Sequence, residues 1–190
     1  MLVLDIKEHR DKFMKESLLE QITTAAREFE SLSAEYGQIY VTAESLTAGF
    51  IGSSIVEIPG SSGWFDRGFI TYSNESKMEL LDVKEDTLKT VGAVSEDTAV
   101  QMVEGALKHS SLATIGVSVT GIAGPDGGSA QKPVGTVWMG LMKKGQKAYA
   151  HCFHFKGDRE EVRLQTTLMA LKGLKALTVG DDPDSVFNAQ

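Results

Sequence analysis

Cysteine is all but missing from this chain. Its 190 residues include one, Cys152, so no internal disulfide can form and a reducing compartment is expected. Phe153 and Phe155 beside it suggest a packed thiol. Long hydrophobic runs are missing too, with nothing near the roughly eighteen apolar residues that a membrane helix needs. The opening stretch MLVLDIKEHRDK turns from apolar to charged after its fourth residue and has no signal-peptide core. Positive charge is in deficit: 19 Lys and Arg stand against 26 Asp and Glu, for a formal net charge of -7. That balance argues against a general nucleic-acid or anionic-membrane partner, and an anionic small substrate would need positive charge supplied locally. There is no internal repeat and no low-complexity block. The expectation is a cytoplasmic globular protein, and 42% hydrophobic and 24% charged residues suit one.

The apolar pattern that is present alternates between helix and strand. Residues 8–36 read as a helix or helical pair, since Leu18, Leu19, Ile22, Ala26, Phe29 and Leu32 recur at three- and four-residue steps. Gly37 is placed to end it. IYVTA (39–43) reads as a buried strand, followed by a helix from Ser45 to the Pro59-Gly60 stop. GFITY (68–72) and TIGVSVT (114–120) read as further strands, and Ser95-Glu96-Asp97 as a capped helix start. GTVWMGLM and KAYAHCFHF flank Lys143-Lys144-Gly145-Gln146 at hairpin spacing. A last helix opens at Gly157-Asp158-Arg159 and runs to about Leu177, and the acidic tail GDDPDSVFNAQ is expected to be loose. The predicted fold is α/β, a three-layer α/β/α sandwich with a mixed sheet. Residues 1–37 form an N-terminal helical extension in this reading, 38–178 the main domain and 179–190 the tail.

Ser45 stands where a buried strand hands over to a helix, with the small residues Thr47, Ala48 and Gly49 behind it. Ligands bind beyond the carboxyl ends of the strands in open α/β sheets. The free N–H groups of a helix start favour an anion or a developing oxyanion there. Spacing alone equally allows Ser45 or Thr47 to be a plain N-cap. The flanking Glu44 and Leu46 do not make the G-x-S-x-G elbow of hydrolases. A nucleophilic serine needs a base, and none of His9, His109, His151 and His154 falls at that edge. His151 and His154, three apart on a strand, point to opposite faces and make a poor metal pair.

Lys77 is the better candidate base. It lies in the first turn of the helix after TYSNE, where the positive end of the dipole disfavours an ammonium. The alternative is a surface lysine paired with Glu75 or Glu79. Tyr72, just before, could orient a proton-transferring group or stack on a flat ring. The segment GIAGPDGG offers Gly121, Gly124 and Gly127 around a Pro-Asp turn, a backbone that a ligand can approach closely. It lacks the G-K-[ST] of a P-loop and is also readable as an ordinary long turn. Thr120 would add a hydroxyl to the same cleft. Arg159 and Arg163, four apart on one helix face, suit a phosphate or carboxylate, with Arg67 a third possibility. Surface ion pairs with Asp158, Glu160 and Glu161 are the competing reading.

Taken together, TAESLTAG, GSSGWFDRGFITYSNESK, GAVSEDT, SVTGIAGPDGG, KPVGTVW and GDREEVR occur in an order that resembles the CinA C-terminal domain family, over roughly residues 39–170. The resemblance implies hydrolysis of nicotinamide mononucleotide to nicotinic acid mononucleotide and ammonia, in pyridine nucleotide recycling, with no metal and no cofactor. It implies Ser45 as nucleophile, Lys77 as its base with Tyr72 beside it, and Thr120 and Arg163 in the substrate site. It implies the same α/β/α sandwich, commonly as a homodimer. Many relatives carry Cys-Thr-Gly-Gly after the serine where this chain has Leu46-Thr47-Ala48-Gly49, and Ala48 narrows the approach slightly. Two other readings stay open from sequence: a non-catalytic nucleotide-binding module of the same fold, and an amidase acting on another nucleotide amide.

Overall fold

A computed structural model describes residues 2–188, with side chains from residue 11 onward. The side chain of His9 and the last two residues of the tail lie outside that description. No glycine or proline interrupts the first 36 residues, and they form one continuous helix, α1 (Leu2–Tyr36), not a helical pair. Gly37 ends it at φ 62°, its N–H donating to the Ser33 carbonyl at 2.9 Å. The chain continues through β1 (Tyr40–Glu44), α2 (Phe50–Val56), β2 (Phe65–Ile70), α3 (Asn74–Leu81), α4 (Glu85–Thr90) and α5 (Glu96–Lys108). It closes with β3 (Ile115–Gly121), β4 (Thr136–Lys143), β5 (Tyr149–His154), α6 (Arg159–Val179) and α7 (Pro183–Phe187).

The five strands form one sheet in the order β2-β1-β3-β4-β5. β1 runs parallel to β2 and β3, whereas β3–β4 and β4–β5 are antiparallel. β1 is covered on both faces of the sheet and is buried at every position, its polar Thr42 and Glu44 included. Tyr40 packs into the core that α1, α2 and α6 build on one face. Val41 and Ala43 pack into the core on the other face, against α5 and residues of α3 and α4. The architecture is a three-layer sandwich. α1 lies along α6 and buries Leu18, Ile22, Ala26, Phe29 and Leu32, with the Phe29 ring edge-on to Tyr40 at 4.9 Å. Leu19 falls off that stripe and is exposed. No helix among the described residues is long and apolar enough to cross a membrane.

The tail is docked where looseness was expected. Asp182 caps α7, and Phe187 at its end is buried against Phe153, ring centroids 4.9 Å apart. Gly173 makes room for it, since a Cβ there would come within 2.7 Å of the Phe187 ring. An aromatic anchor in an otherwise acidic tail is the signal that charge counting overlooks. Phe187→Ala is expected to cost about 3 kcal/mol, the low end for a buried phenylalanine because a terminal helix can relax into the gap. Urea unfolding monitored by circular dichroism reads it, and an unchanged midpoint would show the docking to be energetically idle.

The topology decides where chemistry can sit. Parallel β1, β2 and β3 all finish at one edge of the sheet. Antiparallel pairing brings the start of β4 and the end of β5 to that same edge, opposite Gly121 and Thr136 respectively. Four chain segments meet there: 45–49, 71–77, 121–135 and the entry to α6.

Candidate active site

β1 ends at Glu44, and the next helix does not begin at Ser45 as expected. Residues 45–49 form a turn that delays α2 to Phe50, with Ala48 at φ 53° and Gly49 at φ 94°. The side chain of Glu44, 1% exposed, explains the turn. Its Oε2 accepts from Thr47 Oγ1 at 2.7 Å, Gly49 N at 2.9 Å and Ile51 N at 3.1 Å. Its Oε1 accepts from Gly52 N at 2.9 Å and Thr42 Oγ1 at 3.1 Å. Five donors converge on one acid. The amides at the start of α2 are therefore taken by Glu44 and are not free for a substrate oxyanion, which corrects the reading from sequence. Leu46 and Thr47, directly after Ser45, have backbone N–H groups with no acceptor among the described residues. Small residues serve the turn itself, since a Cβ on Gly49 would meet Ile70 Cδ1 at 3.0 Å and φ 94° is a conformation side chains resist.

Lys77 comes from α3, which Ser73 caps by accepting from Ser76 N. It is not a surface lysine paired with Glu75 or Glu79: the residue is 1% exposed and makes no ion pair among the described residues. Its Nζ donates to the Thr71 carbonyl at 2.7 Å, the Tyr72 carbonyl at 3.4 Å and Ser45 Oγ at 3.2 Å. Two carbonyls thus hold the amine on the serine. Burial pushes its pKa down from 10.5 to about 8. Ser45 itself is buried, its N–H tied to the Val119 carbonyl at 3.1 Å.

Arg159 and Arg163 lie beside this pair and make no ion pair among the described residues. Arg163 Nε and Nη2 donate to the carbonyls of Leu46 and Thr47 at 3.0 and 3.1 Å, fixing the turn that carries Ser45. Arg159 donates from Nη1 to the Gly124 carbonyl at 2.9 Å and from Nη2 to Tyr72 Oη at 3.2 Å, linking the glycine-rich loop to the exposed tyrosine. Both arginines line a cleft of about 620 Å³, together with Ala123, Gly124, Val134 and Gly157. Arg163 Nη1 and Arg159 Nε keep no hydrogen bond to the described residues.

Other expected site residues have structural duties. Thr47 gives its hydroxyl proton to Glu44, and Thr120 gives its own to the Ala93 carbonyl at 2.7 Å. Gly121 and Gly127 do not line the cleft. Gly121 is required by packing, because a Cβ would fall 2.7 Å from the Thr136 carbonyl. Arg67 lies elsewhere, on Asp66 and the His109 carbonyl. His109 pairs with Asp82, and His151 sits between Tyr149 and Asp184. No grouping of His, Cys, Asp and Glu that could hold a metal ion occurs among the described residues.

The CinA C-terminal domain model matches residues 22–178, more than the motifs alone cover. The chain belongs to the CinA C-terminal domain family. Among similar members, a nicotinamide-nucleotide amidohydrolase PncC of Enterobacter agglomerans is 55% identical over 130 residues, 68% of this chain and 79% of that protein. The protein of the same name from Pseudomonas putida is 44% identical over 159 residues, 84% of this chain and 98% of its own. The crystal structure of competence/damage inducible protein CihA from Agrobacterium tumefaciens superposes with a TM-score of 0.80 at 44% identity, covering 83% of this chain and 95% of that one. The CinA match begins inside α1, so residues 22–36 of that helix fall within the matched part and its first twenty residues precede it.

Proposed function

We propose that this chain hydrolyses the carboxamide of nicotinamide mononucleotide, releasing ammonia and nicotinic acid mononucleotide. The observation that carries the proposal is the buried Lys77 amine on Ser45 Oγ at 3.2 Å, held by two carbonyls and free of any ion pair among the described residues. The names of the similar amidohydrolases support the substrate.

In the proposed reaction Ser45 Oγ attacks the carboxamide carbon as neutral Lys77 takes its proton. The oxyanion falls to the unpaired N–H groups of Leu46 and Thr47, in the place of the α2 amides that Glu44 occupies. The C–N bond then breaks, Lys77 returns the proton to the departing ammonia, and an acyl-enzyme ester remains. Water, deprotonated by Lys77, attacks that ester, and Ser45 Oγ leaves with the proton. The electron-poor pyridinium ring makes the carbonyl easier to attack. The cleft beside Arg159 and Arg163 takes the phosphate, where the otherwise acidic protein offers local positive charge.

Incubating the protein with nicotinamide mononucleotide and assaying ammonia tests this directly. Stoichiometric ammonia and nicotinic acid mononucleotide are expected. Tight nucleotide binding with no ammonia would leave the fold as a binding module.

A further inference from the structure

The cleft is lined by Arg159 and Arg163, but also by Asp158 and Glu160. Two positive and two negative side chains cancel, so by its own residues the cleft wall carries no net formal charge. Asp158 cannot be dispensed with, because its Oδ1 caps α6 by accepting from Glu161 N at 2.9 Å. A fifth charge decides the sign. Lys15, four turns into α1, reaches the rim and donates from one Nζ to Asp158 Oδ2 at 2.8 Å and Glu160 Oε2 at 2.7 Å. Its side chain is 22% exposed, against 55% and 61% for the two acids. Its neighbours Lys12 and Glu16 are engaged with each other at 3.9 Å.

We propose that Lys15 is a specificity-determining residue, which offsets one of the two carboxylate charges at the rim so that the cleft, with its two arginines, is net positive and attracts the phosphate of the substrate. It precedes the part of the chain that matches the family, and it lies on a helix that packs on α6 and α2. α1 therefore contributes to the substrate site as well as to the core. The interaction acts at a distance through partly exposed charges, so it must weaken as salt screens it. A lysine that merely pinned α1 to α6 would affect stability and spare discrimination between substrates.

The inference rests on the proposed amidohydrolase reading, and the test separates the two. Lys15→Met keeps the apolar stem and removes the charge. It is expected to raise KM for nicotinamide mononucleotide about three- to tenfold at low ionic strength, the range of one partly screened charge. kcat, and kcat/KM for nicotinamide riboside, should not change. Lys15→Glu should be worse on the phosphorylated substrate alone, Lys15→Arg close to wild type, and added salt should close the gap. Titration with inorganic phosphate, followed by NMR, gives a second readout that needs no turnover, with weaker binding expected for Lys15→Met. If the wild type releases no ammonia but phosphate binding still falls in the variant, the catalytic reading fails and this one stands. Equal losses on both substrates, or no loss on either, overturn the role of Lys15 while leaving the enzyme in place.

Discussion

Lys77→Met and Lys77→Arg are expected to retain about a thousandth of the wild-type ammonia release or less, since a positioned general base contributes roughly 10²–10⁴-fold and this one also returns the proton. Arginine keeps the charge and cannot give it up, so it separates a base from a mere cation. Wild-type activity should rise with pH about a midpoint near 8, because only the neutral amine can accept the proton of Ser45. The same group should mark stability. Its folded pKa of about 8 lies below the ordinary 10.5, so the fold disfavours the ammonium. The penalty is full below the folded value and disappears above the unfolded one. Wild type should therefore gain about 3 kcal/mol relative to Lys77→Met between about pH 8 and 10.5, an order-of-magnitude figure from the size of the shift. Urea unfolding of both proteins at the two ends of that window measures it, and the difference cancels the titration of every other group. An arginine variant that stays active, with a flat profile from mildly acidic to alkaline pH, would remove Lys77 from the chemistry.

Much of this was legible in the sequence because local patterns and tertiary demands agree. The 39–43 run is apolar at all but Thr42, as suits a short strand buried on both faces, and β1 is such a strand. Ser95 and Asp158 announce the helices they cap. Ser45 and Lys77 stood out as a serine at a strand end and a lysine at a helix start, yet no local pattern says that they touch. Their contact is made by the parallel pairing of β1 with β2, which sets Glu44 beside Ile70 and brings Thr71 level with Ser45. Arg163 shows only part of its work in sequence for a related reason. A guanidinium four residues from another on a helix face reads as an anion clamp, and no local pattern says that two of its nitrogens also serve the carbonyls of a turn more than a hundred residues earlier. Phe187 was hidden by the charge around it.

Glu44 was the largest omission, and Glu44→Ala is expected to be the most damaging single change in the molecule. Removing the side chain strands five donors, among them the N–H groups of Gly49, Ile51 and Gly52. Breaking a buried, fully bonded acid of this kind costs about 3–5 kcal/mol. The catalytic loss should be as severe, because the turn these bonds hold is the one that aims Ser45 at Lys77 and presents the N–H groups of Leu46 and Thr47. Glu44 touches no substrate in this account; it is a positioning residue. Its effect should therefore fall on kcat more than on KM, although Arg163 ties the cleft to the same turn. Glu44→Gln, similar in shape, keeps the test open if the alanine variant does not fold. It leaves one oxygen to accept and turns an NH₂ toward donors, so a partial loss of both stability and kcat is expected. Formate offers the sharper check. In Glu44→Ala the five donors surround a space that held a carboxylate, and millimolar formate should recover part of kcat while acetamide does not. An alanine variant with wild-type kcat would show that the turn keeps its shape without the acid, and the serine would then owe its position to Arg163 and the Val119 carbonyl alone.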